Sequence, residues 1–125
     1  GPCQPNMAFV RDVTVPPGEV VKAGQRIDKT WRLKNTGTCD WHAGYQLVFM
    51  SGEQMNAPDY QPLPSVMPGA EINVGVTLKA PWDPGTHSGA WQLKSPTGEY
   101  FGEELKVVIK VEEPPAIPQP KPTVK

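Results

Sequence analysis

The side chains in this sequence that could carry out acid–base chemistry are few and scattered. His42 and His87 are its two histidines. His87 is followed directly by Ser88, but neighbouring residues of a strand point to opposite faces, which is the wrong geometry for a nucleophile and its base. The adjacent Glu103 and Glu104 are separated for the same reason. Because the sequence also contains no G-x-S-x-G, phosphate-binding or H-E-x-x-H motif, it predicts no catalytic residues and no enzymatic activity.

Metal binding would need several ligand side chains close together in space. The candidates in or near predicted loops are Asp40, His42, Asp83 and His87. Loop Asp and His side chains are usually solvated, and no calcium-loop spacing is present. The two cysteines are too few and too far apart for a zinc ribbon. We therefore expect neither a metal site nor a bound cofactor.

Cys3 and Cys39 leave two interpretations open. A disulfide between them would close a loop of about 37 residues and stabilise the fold by about 4 kcal/mol on the chain-entropy estimate. It would join the N-terminal arm to the turn that precedes Trp41. In the alternative, Cys3 carries a lipid, as in a bacterial lipoprotein, and Cys39 is a free thiol. The sequence favours the disulfide.

The elements that must position these residues are short strands. Turn-forming clusters recur along the chain, which contains 16 Pro and 12 Gly. Between them, apolar and polar residues alternate as in half-buried strands, over residues 27–33, 45–49, 72–78, 91–93 and 105–111, with a further N-terminal strand over 9–15. We predict an all-β fold, an immunoglobulin-like antiparallel β-sandwich of about seven strands. A closed barrel is the alternative.

The tryptophans are the strongest compositional signal. Trp31 and Trp91 fall on inward faces of predicted strands, where truncation of either to Ala would cost about 3–5 kcal/mol. Trp41 follows an Asn-Thr-Gly turn and is expected to cap one end of the sandwich. Trp82 lies in the loop A-P-W-D-P-G, where the local pattern does not require a large aromatic side chain. Such a residue is either a binding anchor or a lid stacked on proline, and both interpretations stay open.

Composition divides the chain into a folded domain and a tail. Residues 3–111 carry the strand pattern, whereas residues 112–125 contain five Pro and are typical of an interdomain linker or a disordered terminus. Gly1 and Pro2 resemble a protease-cleavage scar. The formal net charge is −1 with both signs interspersed, so we expect no nucleic-acid surface. The apolar runs are too short for membrane insertion.

Several motifs together resemble a known family. K-x-W-R-x-K-N-T-G surrounds Trp31, and Trp41 lies four residues after its glycine. A-P-x-x-x-G-T, a W-x-L strand at Trp91 and F-G before the last strand follow. These residues resemble the four-tryptophan domain, the immunoglobulin-like domain of selective-autophagy cargo receptors, which also occurs in many bacterial proteins. The resemblance covers almost all of residues 9–111.

The resemblance assigns expected roles to the tryptophans and cysteines. Trp31, Trp41 and Trp91 match three of the family's four tryptophans and are expected to be structural. The fourth is expected near Lys106 and is missing, so Trp82 is an additional tryptophan in a loop. The cysteine pair resembles the bacterial members, many of which are exported. An extracytoplasmic or cell-surface location is therefore expected, or a cytoplasmic one if the cysteines are reduced.

The function that the resemblance implies is protein binding. We expect a non-catalytic protein–protein interaction module within a larger, exported bacterial protein, with a protein partner of unknown identity. Trp82, Tyr60 and His87 are the candidate binding residues. One alternative is a carbohydrate-binding module, in which exposed Trp and Tyr side chains stack on sugars. The other is a passive spacer in a cell-surface array.

Overall fold

The strands of this chain form two sheets. The computed structural model describes residues 2–115, and these contain no helix long and apolar enough to cross a membrane. In chain order the strands are β1 (Met7–Asp12), β2 (Glu19–Val21), β3 (Arg26–Asn35), β4 (Gln46–Gly52), β5 (Tyr60–Pro62), β6 (Glu71–Lys79), β7 (Gly85–Lys94) and β8 (Tyr100–Val111). One sheet has the order β1-β3-β6 and the other the order β2-β8-β7-β4-β5.

The predicted all-β, immunoglobulin-like sandwich is confirmed, with corrections in detail. There are eight strands rather than about seven, because β2 and β5 are only three residues long and too short to show alternation. The expectation that all strands run antiparallel is wrong for β2, which pairs in parallel with β8. The N-terminal strand also begins and ends earlier than predicted, and a β-bulge between Phe9 and Arg11 interrupts its alternation.

The two ends of the chain fall outside this description. The last strand ends at Val111, and residues 112–115 continue without regular structure. Gly1 and residues 116–125 lie outside the described part of the chain. The cleavage scar and most of the proline-rich tail therefore stay predictions.

Two tryptophans from opposite sheets meet in the core. Trp31 of β3 is 0% exposed and Trp91 of β7 is 1% exposed, and their ring centroids lie 6.0 Å apart. Phe49 of β4 packs against Trp91 at 5.3 Å. The indole nitrogen of Trp31 donates to the backbone oxygen of Lys106 in β8 at 3.2 Å. The contacts of these rings therefore join the three-stranded sheet to the five-stranded one.

Strand β3 also buries a charge. Lys29 is 1% exposed, on the inward face that the alternation assigns to it. Its ammonium group donates to a carboxylate oxygen of Asp12 at 2.6 Å and to the backbone oxygen of Val15 at 2.8 Å. A buried charge needs such partners, because removal from water is otherwise costly. The pair ties the end of β1 to the middle of β3.

The end of the sandwich where β3 stops is held by a disulfide and a buried amide. Cys3 and Cys39 form the disulfide, with their Cα atoms 5.0 Å apart, so neither cysteine has a free sulfur. Asn35 is fully buried, and its side-chain nitrogen donates to the backbone oxygens of Cys39 at 2.8 Å and Val66 at 3.0 Å. Trp41 lies at this end and packs on an aromatic ring of β8.

Reduction of the disulfide is expected to lower the midpoint of thermal unfolding by about 10 °C or more. The reason is that reduction returns conformational freedom to a long segment of the unfolded chain, worth about 2–4 kcal/mol. Thermal unfolding followed by circular dichroism, with and without reductant, measures the shift. The matched control is the double variant Cys3→Ser/Cys39→Ser, whose midpoint should be low and indifferent to reductant. An unchanged midpoint of the native chain on reduction would contradict a stabilising role for the disulfide.

Candidate binding site

Three loops meet at the opposite end of the sandwich, where β3 begins. They are residues 22–25, 53–59 and 80–84, which follow β2, β4 and β6. Backbone hydrogen bonds connect them: Lys79 donates to Met55 at 2.8 Å, Ala80 to Gln25 at 2.8 Å, and Gly24 to Ala80 at 3.1 Å. The loops therefore form one continuous surface rather than three independent ones.

Trp82 dominates this surface. Its side chain is 71% exposed, more than any of the other large aromatic residues that the structure describes. The far edge of its ring rests on Gly24, where a Cβ atom would come within 2.6 Å of a ring carbon. Gly24 also has a φ of +71°, so both its backbone and the ring require glycine here. The Lys79 ammonium lies over the ring, 5.6 Å from its centroid, at cation–π distance.

A cleft of about 610 Å³ opens beside Trp82. Residues 79–82 form one wall, and residues 53–57 form the other. The second wall contains a tight turn in which the Ala57 amide donates to the Gln54 carbonyl at 2.9 Å. Both walls are thus fixed by backbone hydrogen bonds, so the cleft is formed before any ligand binds.

The turn in the second wall has an unusual backbone. Met55 and Asn56 both have positive φ angles, of 51° and 63°. Asn tolerates this left-handed conformation, but it costs an ordinary side chain such as Met about 1–2 kcal/mol. Burial of the Met55 side chain in the core offsets the cost. Local strain of this kind is frequent at binding sites, because surrounding contacts must hold it in place.

His87 links the loop that follows β4 to the loop that follows β6. Its Nδ1 lies 2.8 Å from both carboxylate oxygens of Glu53, and its Nε2 lies 2.7 Å from the backbone oxygen of Asp83. A carbonyl oxygen and an ionised carboxylate only accept hydrogen bonds, so both ring nitrogens must carry a proton. The geometry therefore fits the charged imidazolium. The Asp83 carbonyl and the Glu53 carboxylate raise the pKa of His87, and burial opposes them only in part.

The structure brings two of the three predicted binding residues together. Trp82 and His87 share this end, but the His87 side chain is only 11% exposed and acts on the cleft through Glu53. Tyr60 is 60% exposed on edge strand β5 and does not line the cleft. Sequence reasoning named no binding residue in the turn at 53–57, although the polar, proline-flanked run N-A-P marks a loop there. Among residues 2–115, no three His, Cys, Asp or Glu side chains are grouped closely enough to hold a metal ion.

Comparison with known proteins decides the family. Residues 14–111 match the family described as the Ig-like domain from next to BRCA1 gene. The chain belongs to this family. The predicted domain family is thus confirmed in its immunoglobulin-like part, while the bacterial type and the assignment of four tryptophans receive no support.

Three similar proteins illustrate the reach of the family. Protein ILRUN of Danio rerio is 36% identical over 109 residues, which cover 87% of this chain and 38% of that protein. Protein JOKA2 of Solanum tuberosum is 32% identical over 115 residues, which cover 89% of this chain and 13% of that protein. The protein called next to BRCA1 gene 1 protein, from Homo sapiens, is 34% identical over 116 residues. These cover 90% of this chain and 12% of that protein. The chain thus spans well under half of each of these relatives, which come from animals and a plant.

The His87 contacts are expected to make folding stability depend on pH. Because the pKa of His87 is raised above 6.5 in the folded chain, its stabilising contribution is complete below about pH 6.5. That contribution is lost as pH rises through the pKa of the folded state. Denaturant unfolding between about pH 5 and pH 8, together with NMR titration of the His87 ring, measures both effects.

The variant Glu53→Gln tests whether the Glu53 carboxylate contributes to the raised pKa of His87. The variant removes the carboxylate, so it should lower the pKa of His87 and weaken the pH dependence of stability. Glu99→Gln, which removes a carboxylate at the opposite end of the sandwich, is the matched control and should change neither. An identical His87 titration curve in native and Glu53→Gln chains would show that the hydrogen bond to Glu53 does not raise the pKa of His87.

Proposed function

We propose that this domain is a non-catalytic protein-binding module whose contact surface is the cleft beside Trp82. The observation that carries the proposal is a large aromatic side chain held between Gly24 and Lys79 and yet 71% exposed at the rim. A fixed aromatic anchor loses little conformational freedom on binding, so more of its contact energy appears as affinity. Membership of the family supports the proposal at the level of the domain.

The cleft offers contacts of different character on its two walls. Trp82 and Pro81 provide apolar surface on one wall, next to the positive charge of Lys79. Glu53 provides a negative charge on the other wall, with its carboxylate about half exposed and oriented by His87. Opposite charges on facing walls would orient a partner, whereas the buried part of the indole would supply most of the affinity. Tyr60 would contribute only if the contact extended to the edge strand β5.

Capture of a partner tests this proposal. Trp82→Ala is expected to reduce retention of a bound protein at least tenfold, because a central aromatic anchor typically contributes about 2 kcal/mol or more. The measurement is a pull-down with the tagged domain from extracts of the source organism, with retained proteins identified by mass spectrometry. The melting temperature of Trp82→Ala should stay within a few degrees of native, since the side chain is exposed.

Tyr60→Ala is the matched control, because it truncates an aromatic residue exposed to a similar extent outside the cleft. It should retain the partner as the native chain does. Equal loss of capture in both variants would extend the contact surface to the β5 edge, and loss in Tyr60→Ala alone would place it there instead of at the cleft. No specific capture by the native chain would contradict protein binding and favour the spacer.

A second candidate function rests on the same indole. An exposed, fixed tryptophan is also suited to stacking on a sugar ring, so carbohydrate binding is the alternative. Binding of the domain to a panel of polysaccharides, lost in Trp82→Ala and kept in Tyr60→Ala, would favour it. Retention of a protein after enzymatic removal of its glycans would favour the protein-binding proposal.

We also propose that the chain works in an oxidising, extracytoplasmic compartment as part of a larger protein. The disulfide between Cys3 and Cys39 supports the compartment, and the greater length of the relatives supports a larger parent. The animal and plant relatives give no support to a bacterial origin. Alkylation of free thiols in freshly lysed source cells tests the compartment. Both cysteines should be protected, and labelling of both would instead favour the reducing cytosol.

A further inference from the structure

We propose that the hydrogen bond from protonated His87 to the Asp83 carbonyl holds Trp82 in its binding position, so that the cleft binds its partner more weakly once the imidazole loses its proton. The position of Trp82 can be measured on the chain alone. The effect on binding rests on the proposed function, because it requires Trp82 to be the anchor for a partner.

The first support is the scarcity of other hydrogen bonds around Trp82. The backbone hydrogen bonds that fix the first wall of the cleft end at Pro81, whose carbonyl oxygen accepts the last of them at 3.4 Å. In the described part of the chain, residues 82–84 make a single hydrogen bond, in which the Asp83 carbonyl accepts from Nε2 of His87 at 2.7 Å. The backbone of this segment is therefore held by one contact and by its two ends.

The second support is the effect of deprotonation on this contact. The same ring also donates from Nδ1 to the Glu53 carboxylate at 2.8 Å, so it uses both of its protons. A neutral imidazole has one N–H group, and an ionised carboxylate is a stronger acceptor than a backbone carbonyl, so the proton that stays is the one on Nδ1. Nε2 would then present a lone pair to the Asp83 oxygen at 2.7 Å. Two acceptors at that distance repel each other, so residues 82–84 would move away from the ring.

The third support is the electrostatic environment of His87. The Asp83 carbonyl is the largest cause of its raised pKa, followed by the hydrogen bond to Glu53. The charges that act on the ring are the carboxylates of Glu53 and Asp83, and both favour the protonated form. The hydrogen bond to Asp83 should therefore be fully present below about pH 6.5 and be lost as the pH rises through the pKa of the folded state.

The cations on the neighbouring strands are directed away from this ring. Across the sheet on β8, the partner of His87 is the uncharged Ile109, whereas Lys110 is exposed and lies on the opposite face of the strand. At the end of β6, the ammonium group of Lys79 lies over the Trp82 ring. These charges leave the proton on His87 under the control of the two carboxylates.

The effect on affinity follows from the position of the indole. Its contacts with Gly24 and Lys79 are made by the ring, so they depend on where the backbone of Trp82 lies. An anchor that must be ordered when the partner binds gives lower affinity than one already in place. We expect capture of the partner to be about two- to tenfold weaker at about pH 8.5 than at about pH 5.5.

The first experiment follows the native chain by NMR over this pH range. The ring C–H signals of Trp82, assigned by their loss in Trp82→Phe, should shift with the same midpoint as the ring signals of His87. Glu53→Gln, which is expected to lower the midpoint for His87, should lower it equally for Trp82. The three other tryptophans are buried, and their signals should not follow this titration.

Two histidine variants give the matched comparison. In His87→Gln, both the Trp82 signals and the capture of partner in the pull-down should be independent of pH. His42→Gln removes the other histidine, whose ring packs on Tyr45 beside the disulfide. It should keep the native pH response in both measurements.

The proposal is overturned if the Trp82 signals do not follow the titration of His87, or if the native chain captures its partner equally at both ends of the pH range. It is also overturned if capture by His87→Gln falls with pH as in the native chain, since the titrating group would then belong to the partner. None of these results would contradict protein binding itself. Absence of capture at every pH would contradict the proposed function, and the Trp82 signals would still show whether His87 holds Trp82 in place.

Discussion

The contact between Trp31 and Trp91 is the interaction on which the rest of this fold depends. The two rings come from different sheets and meet in the fully buried centre, so they fix the spacing and orientation of the sheets. Strand β3, which carries Trp31, runs from the cleft to the disulfide, and β7, which carries Trp91, begins three residues after Trp82. The loops at both ends therefore take their positions from strands that this aromatic pair holds together.

The two ends of the sandwich are stabilised by different physical means. Near Trp41, a covalent bond and a fully buried Asn35 side chain leave little freedom to the loops. Near Trp82, backbone hydrogen bonds and the charged contacts of His87 hold the loops, and both respond to solvent conditions. The proposed binding surface thus lies at the end whose stability can be adjusted without breaking a covalent bond.

Much of the fold could be predicted from the sequence because its long strands alternate regularly. Alternation placed Trp31, Trp91 and even the charged Lys29 on inward faces, where the structure has them. It could not reveal β2 or its parallel pairing with β8, since three residues show no period and pairing is set by distant parts of the chain.

The candidate site was less predictable, because it depends on contacts between residues distant in sequence. Trp82 was recognised as unusual, but whether it is a lid or an anchor depends on Gly24, which approaches it from another loop. The opposite wall requires Met55 to adopt a left-handed backbone conformation. The Met side chain disfavours that conformation, and no local sequence pattern predicts it. The role of His87 depends in the same way on Glu53, which lies 34 residues away in sequence.

The disulfide also determines how the domain would respond to mechanical tension inside a longer protein. A pull on the N-terminal side enters at Cys3 and passes through the sulfurs to Cys39, so it bypasses the intervening segment. That segment contains the whole of β1, β2 and β3, and its sequence separation of 36 residues corresponds to about 120 Å of extended chain that cannot be released. Under load, only the chain beyond Cys39, which contains β4 to β8, could therefore be extended.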